Sequence, residues 1–131
     1  DETSRGNDLI IFGDGTQKRD HFYVGDLVEA FMKAAVNPKA YGEVFNIGYG
    51  RGHQLKDVAR TVVKVVGSGQ IVRKPWPNDY KSIETGDYIS DISKAKKILD
   101  WEPTVTLTDG IKKTISQDKD SSSTLFKLLR L

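Results

Sequence analysis

The segment Gly13–Asp20 combines a tight turn with two adjacent cations, in the order Gly-Asp-Gly-Thr-Gln-Lys-Arg-Asp. Its glycines permit a sharp turn that exposes backbone N–H groups, and Lys18 and Arg19 stand directly beside that turn. An arginine guanidinium donates paired, charge-assisted hydrogen bonds, so this pattern suits a phosphate or a diphosphate. Taken alone, the same residues are more typical of an ordinary surface turn with solvated charges.

A second group of chemically useful side chains lies between Pro75 and Gly86, where Pro77 and Asn78 also predict a long loop. Long loops inside compact domains often carry function. The side chains of this loop suit a polar ligand that bears a ring: Trp76, Asp79, Tyr80, Lys81 and Glu84. The alternative interpretation is that Trp76 packs the loop onto the body of the domain.

The glycines at 48, 50 and 52 follow a predicted strand and precede a predicted helix. In a Gly-x-Gly-x-x-Gly dinucleotide loop the third glycine would fall on His53, so the spacing favours a permissive turn instead. His53 has no neighbouring candidate ligand and is interpreted as a capping or surface residue. The sequence also contains no Gly-x-Ser-x-Gly elbow, His-Glu-x-x-His helix or P-loop.

The composition predicts one soluble, cytoplasmic α/β domain without a metal site. The chain has 131 residues, no cysteine and two histidines, which argues against a disulfide scaffold and a zinc site. No apolar run approaches the ~20 residues of a membrane span. The net charge of +2 is weak support for a nucleic-acid partner, and the lysines at 94, 96 and 97 are interpreted as a solvated helix face.

Hydrophobic periodicity predicts the elements that must position these side chains. Strands are predicted at 9–12, 21–24, 44–47 and 70–74, and their alternation with helices favours parallel pairing. Helices are predicted to begin near Asp26, Leu55 and Asp91 and at Thr108 or Asp109, with Asp26 and Asp91 as N-caps. Domain organisation is predicted as a polar segment 1–8, a main body 9–116, and a tail 117–131 made of a linker and a short helix.

Four segments, taken in order, resemble the NAD-dependent nucleotide-sugar epimerases and dehydratases, which are extended short-chain dehydrogenase/reductases. The first resembles the family's Gly-x-Gly-x-Gln-x-Arg-Asp-x-x-Tyr-Val-x-Asp-Leu motif, although Gly25 replaces an acidic residue that is common there. The segments are Gly13–Ala30, Gly42–Gly50, Asp91–Ala95 and Leu99–Pro103. The resemblance covers residues 9–115.

The resemblance implies a C-terminal fragment of an extended Rossmann-type dehydrogenase/reductase, with a small mixed sheet and about four helices. The family's glycine-rich NAD loop has no equivalent in this chain. Its catalytic Tyr-x-x-x-Lys pair is absent too, because no lysine stands four residues after any tyrosine. NAD is therefore expected as the cofactor of a parent enzyme, and no cofactor is expected for the fragment. The chain alone is expected to be inactive, and within the parent an epimerase is preferred slightly over a dehydratase.

The resemblance also implies a substrate site for a nucleoside-diphosphate sugar. Arg19 matches an arginine that contacts the diphosphate, and Lys81 matches a second diphosphate-binding position, where lysine keeps the charge but loses the planar fork. Glu84 matches an acidic residue near the ribose, and Phe12 lies on the strand beside the nucleotide base. Gln17 belongs to the same motif and is included with them.

The resemblance further implies a partner for this chain, the missing N-terminal Rossmann domain. In relatives the helix that begins at Asp26 packs on that domain, so Val28 and Phe31 are expected to be exposed here and to promote self-association. Two other interpretations stay open: a stand-alone nucleotide-sugar-binding module without turnover, and a basic nucleic-acid-binding domain. No membrane association is expected.

Overall fold

The structure, a computed structural model, describes residues 6–128, and for Lys81 and residues 118–128 it describes the backbone alone. Its elements in chain order are β1 (Leu9–Phe12), β2 (Lys18–Arg19), α1 (Val24–Val36), a 3-10 turn (Pro38–Ala40), β3 (His53–Gln54), α2 (Leu55–Val66), β4 (Ile71–Lys74), α3 (Asn78–Lys81), α4 (Ser93–Leu99) and α5 (Leu107–Leu128). The short helix α3 lies inside the predicted loop. Within the described part of the chain, no helix is long and apolar enough to cross a membrane.

Two small strand pairs lie between residues 9 and 74. Strands β1 and β4 pair in parallel, with Leu9 opposite Ile71 and Phe12 opposite Lys74, which confirms the predicted parallel pairing. Strands β2 and β3 pair antiparallel, with Arg19 opposite His53. Because parallel strands end at the same edge, the turn after β1 and the loop after β4 leave the sheet side by side.

Two of the predicted strands are wrong. Residues 21–23 have no regular structure, and α1 begins at Val24. Residues 43–47 are also irregular, although Phe45 and Ile47 pack against the core while Val44 is exposed. A strand is stabilised by hydrogen bonds to a neighbour, and no described strand pairs with either segment. Local apolar character therefore did not suffice to make them strands.

The core lies between α1 and α4 and is built around Trp101, which is 1% exposed. Ala30 and Ala95 are also fully buried, and their small side chains let the two helices approach closely. Trp101 Nε1 donates a hydrogen bond of 3.0 Å to the backbone carbonyl of Asp26 in α1. The indole therefore ties the chain segment after α4 to the first turn of α1.

Asp26 does not cap α1 as predicted, because it lies inside the helix after the N-cap residue Tyr23. Its carboxylate is buried, with the residue 3% exposed, and accepts hydrogen bonds from the chain after Trp101. These come from the Thr104 N–H and hydroxyl at 3.3 and 3.1 Å and from the Val105 N–H at 3.2 Å. Asp26 therefore anchors a distant segment rather than the end of its own helix.

Asp91 acts at the start of α4, although the N-cap residue is Ile92 and not Asp91 as predicted. Its Oδ1 accepts the backbone N–H of Ser93, the first residue of α4, at 2.9 Å. The hydrogen bonds from Ser93 lower the pKa of the exposed Asp91 carboxyl below its usual value. The negative charge therefore satisfies a free N–H group at the beginning of the helix.

Helix α5 begins one residue before the predicted Thr108 and is capped by Thr106. Asp109 N–H donates to the Thr106 hydroxyl at 3.2 Å, while that hydroxyl donates back to the Asp109 carboxylate at 2.7 Å. The helical backbone continues through residues 117–123, where the sequence predicts a linker. Residues 111–128 contain neither glycine nor proline to interrupt it. The division at 8 and 116 stays a prediction, and residues 1–5 and 129–131 lie outside the described part.

Candidate functional site

The candidate site lies at the edge where β1 and β4 end. The Phe12 ring at the end of β1 lies 5.7 Å from the Trp76 ring, with the two planes tilted by 37°. The indole also covers Gly13, whose φ of +68° favours glycine; a Cβ there would lie 2.4 Å from Trp76 Nε1. Trp76 therefore packs the loop onto the body, which is the second of the two interpretations of this residue.

The turn after β1 does not present its backbone N–H groups in the way the sequence suggests. Three of them donate within the protein: Gly13 to the Lys74 carbonyl at 2.9 Å, Thr16 to Asp14 Oδ1 at 3.0 Å, and Lys18 to Asp87 Oδ1 at 2.7 Å. The hydrogen bonds from Thr16 also lower the pKa of the exposed Asp14 carboxyl. Because these three donors are occupied, an anion at this turn would rely on side chains and on the other backbone N–H groups of the turn.

The carbonyl groups of the same turn hold the start of α2. The Gly15 carbonyl accepts the Lys56 N–H at 2.9 Å, and the Gln17 carbonyl accepts the Leu55 N–H at 3.1 Å. These are N–H groups of the first helical turn, which has no intrahelical acceptors for them. Gln17 is half-buried, so its backbone has a structural role whatever its side chain binds.

Arg19 and Glu84, both predicted site residues, lie in direct contact although they are 65 residues apart in the chain. Arg19 Nη2 donates to Glu84 Oε1, and the two side chains are 28% and 23% exposed. Arg19 Nη1 donates to the backbone carbonyls of Gly86 and Lys18, the latter at 3.0 Å. Arg19 therefore contacts the C-terminal end of the loop, at Glu84 and Gly86.

The guanidinium keeps hydrogen-bonding capacity despite these contacts. Of its five N–H donors, the two on Nη1 and one on Nη2 have acceptors among the described residues. The Nε–H and the second Nη2–H have none there. Lys81 lies three residues before Glu84, on the same stretch of loop, and its side chain is outside the described residues. Arg19 can therefore hold an anion through two further donors.

Asp20 was not predicted as a site residue, yet its carboxylate binds backbone N–H groups from two other segments of the chain. Its carboxylate accepts the backbone N–H groups of Tyr49 at 2.6 Å, Gly50 at 3.3 Å and Ser90 at 2.9 Å. A Cβ on Gly48 would lie 2.4 Å from Asp20 Oδ2, so glycine is needed for this close approach. The signal available in the sequence was an acidic residue beside Arg19 together with a glycine-rich turn offering free N–H groups.

The glycine-rich turn is therefore filled by a carboxylate of its own chain. This agrees with its interpretation as a permissive turn rather than a dinucleotide loop. The expectation for His53 is wrong, however, since it lies half-buried in β3 with its ring 5.3 Å from that of Tyr49. Its Nδ1 is buried and has no hydrogen-bond partner among the described residues.

Two lysines of α4 form ion pairs with carboxylates that lie outside the helix. Lys94 pairs with Glu43 at 2.6 Å, and Lys96 pairs with Glu102 at 2.9 Å. The contact with Lys96 lowers the pKa of the exposed Glu102 carboxyl. Such paired charges fit the solvated face that the sequence suggests.

An apolar cavity of about 410 Å³ lies elsewhere, where the start of α1 meets α2 and α5. Tyr23, Val58 and Ile111 contribute to its walls. None of the predicted site residues whose side chains are described lines it. The charged groups expected of a binding site for a polar ligand are instead Arg19 and Glu84, at the edge where β1 and β4 end.

Comparison with known proteins shows extensive similarity to enzymes that act on nucleotide sugars. Residues 2–114 match the protein family described as GDP-mannose 4,6 dehydratase. The chain is 32% identical to the UDP-glucuronate 4-epimerase of Thermodesulfobacterium geofontis over 114 aligned residues. The aligned region covers 86% of this chain and 34% of that enzyme. The chain thus spans about a third of the length of the curated relatives it matches.

Solved structures confirm the predicted mixed α/β fold as part of a Rossmann-type epimerase. The UDP-glucose 4-epimerase of Thermotoga maritima, solved with UDP-glucose, is 35% identical, with a TM-score of 0.79 over 92% of this chain and 37% of that chain. The UDP-glucuronic acid 4-epimerase of Bacillus cereus, solved with UDP-glucuronic acid and NAD, is also 35% identical. Its TM-score is 0.64, over 80% of this chain and 33% of that chain.

Proposed function

Because the chain belongs to this family of NAD-dependent nucleotide-sugar epimerases and dehydratases, we propose that residues 9–116 form the substrate-binding portion of such an enzyme. The ligand is a nucleoside-diphosphate sugar, and the diphosphate is held by Arg19 and Lys81. Phe12 lies beside the base, and Glu84 and Gln17 complete the site.

The observation that carries this proposal is the state of the Arg19 side chain. Three quarters of it is buried and its orientation is defined by Glu84 and Gly86, yet two N–H donors have no acceptor among the described residues. A guanidinium in this state is preorganised, because little rotamer entropy remains to be lost when it binds a phosphate oxygen.

The catalytic contribution of this portion is to hold the substrate in place. Binding a diphosphate at one end orients the attached sugar toward reacting groups elsewhere, which lowers the entropic part of the barrier. NAD supplies the hydride chemistry in the parent enzyme. The glycine-rich turn does not fit that cofactor, because the Tyr49 and Gly50 N–H groups already donate to the Asp20 carboxylate. Of the family's reactions, epimerisation is preferred over dehydration or decarboxylation.

The experiment that tests the site is calorimetric titration of the chain with UDP and with dTDP. In Arg19→Ala we expect affinity to fall by about 10- to 100-fold, since a hydrogen bond to a charged group contributes about 1.5–3 kcal/mol. Arg19→Lys should recover part of the loss because it keeps the charge but not the fork. Lys81→Ala is expected to weaken binding as well. Comparison of the affinities for UDP and dTDP shows which base the site prefers.

The matched control is Arg60→Ala, which removes an exposed arginine that pairs with Asp57 on α2. This variant should bind as the wild type does. Equal affinity of Arg19→Ala and wild type, in chains with unchanged circular dichroism, would refute the assignment.

A parent enzyme is favoured over a stand-alone module by the outer face of α1. Val28 and Phe31 are 53% and 63% exposed there, together with Val24, Met32 and Val36 on the same helix. Apolar surface of this kind marks an interaction face, and the Rossmann domain of the parent is its proposed partner.

We expect the isolated chain to self-associate through this face of α1. In sedimentation velocity the apparent mass should rise with protein concentration, and Phe31→Glu should return the chain to a monomer because it places a charge in the apolar face. Lys64→Glu on α2 serves as a control that should leave association unchanged. A monomer whose unfolding transition is sharp and independent of concentration would instead support the stand-alone module.

The remaining alternative, a nucleic-acid-binding domain, is favoured by no feature of the site. It would require affinity for a nucleic acid that falls steeply with salt concentration.

A further inference from the structure

One cation of the proposed diphosphate site, Arg19, is paired with a carboxylate of the same site. Glu84 Oε1 accepts from Arg19 Nη2 and also from the Gly86 N–H at 3.0 Å, so the loop holds it beside the guanidinium. We propose that Glu84 determines specificity here by excluding small inorganic anions, such as pyrophosphate, that would otherwise occupy Arg19.

The electrostatic argument begins with charge cancellation. A carboxylate in contact with a guanidinium offsets most of the field that attracts an anion, and partial burial reduces screening by salt. Asp87 adds a second carboxylate three residues later, and its Oδ1 accepts the backbone N–H of Lys18 at 2.7 Å. A bare anion that approaches Arg19 therefore meets the negative charge of Glu84 in contact with the guanidinium, while the Asp87 carboxylate lies against the backbone of the neighbouring residue Lys18.

A diphosphate ester of a nucleoside has further contacts that a bare anion lacks. Stacking of a base against Phe12 contributes free energy that does not depend on net charge. Glu84 Oε2 accepts no hydrogen bond from a described residue, so it can accept one from a hydroxyl group of the ligand. This inference rests on the proposed function, because it assigns to the same site a preference for nucleoside diphosphates over inorganic anions.

The test is Glu84→Gln, titrated calorimetrically with pyrophosphate and with UDP at low salt. The amide has the same size, and its oxygen can still accept from Arg19 and Gly86, so orientation is retained while the negative charge is removed. We expect pyrophosphate affinity to rise about fivefold and the preference for UDP over pyrophosphate to fall. The gain should shrink at about 0.5 M salt, where the Debye length is short.

Two further variants make the outcome decisive. Glu43→Gln removes a carboxylate from an ion pair with Lys94 and should leave pyrophosphate affinity unchanged. Asp87→Asn should also raise pyrophosphate affinity, as Glu84→Gln does. This second variant provides a test if Glu84→Gln does not fold.

The outcomes separate this inference from the proposed function. Unchanged or weaker pyrophosphate binding in the variants, with UDP binding still dependent on Arg19, overturns the role of Glu84 alone. UDP binding that does not depend on Arg19 overturns the proposed function and the inference together.

Discussion

Replacing Trp101 with alanine is expected to lower the free energy of unfolding by about 3–5 kcal/mol, the largest effect of any single substitution considered for this chain. The indole is 1% exposed at the centre of the core between α1 and α4, so its removal leaves a cavity that backbone shifts only partly fill. It also removes the hydrogen bond from Nε1 to the Asp26 carbonyl. The measurement is urea denaturation followed by far-ultraviolet circular dichroism.

Two variants separate the contributions to this loss. Trp101→Phe keeps most of the apolar volume but loses the indole N–H, and we expect it to cost about 1–2 kcal/mol. Trp76→Ala removes the other tryptophan, which is half-buried against Phe12 and Gly13, and should cost less than Trp101→Ala. A loss below about 1 kcal/mol for Trp101→Ala would contradict the described core.

Asp26→Ala is expected to destabilise the chain by about 2–4 kcal/mol. The substitution leaves the Thr104 N–H and hydroxyl and the Val105 N–H without the carboxylate that accepts them. Because these donors fix the segment between Trp101 and α5, the variant should also expose amide hydrogens near the start of α5. Hydrogen exchange measured by mass spectrometry locates this change, and chemical denaturation gives its size.

Conservative and exposed variants serve as controls for Asp26. Asp26→Asn retains one acceptor oxygen but places an NH₂ group toward a second donor, so an intermediate loss is expected. Asp57→Ala removes an exposed carboxylate that pairs with Arg60 and should change stability by less than about 0.5 kcal/mol. Equal effects of Asp26→Ala and Asp57→Ala would show that the buried contacts do not stabilise the fold.

The motif that carries the family resemblance therefore serves two purposes. Arg19 has donors left for a ligand, whereas Asp20 and Asp26 use their carboxylates on backbone N–H groups of the same chain. A motif records only that these residue types recur at a fixed spacing. Their assignment to binding or to architecture required the contacts that each side chain makes.

Much of the fold was predictable from local sequence. Periodicity and capping account for the strand β1, for the helix α2 with Gly67 in the left-handed region at φ +78°, and for the start of α4 two residues after Asp91. These features depend on residues close together in the chain. The strands predicted at 21–24 and 44–47 failed because a strand needs a partner that periodicity does not specify.

By itself the sequence determined the residue types that could bind a diphosphate, the family, and most helix positions, because these depend on composition, spacing and neighbours in the chain. Only the tertiary structure decided that Arg19 meets Glu84 across 65 residues, that Asp20 fills the glycine-rich turn, and that Asp26 anchors a distant segment. Each of these contacts joins side chains and backbone groups brought together by packing, since charged and polar groups removed from water must find partners wherever the fold places them.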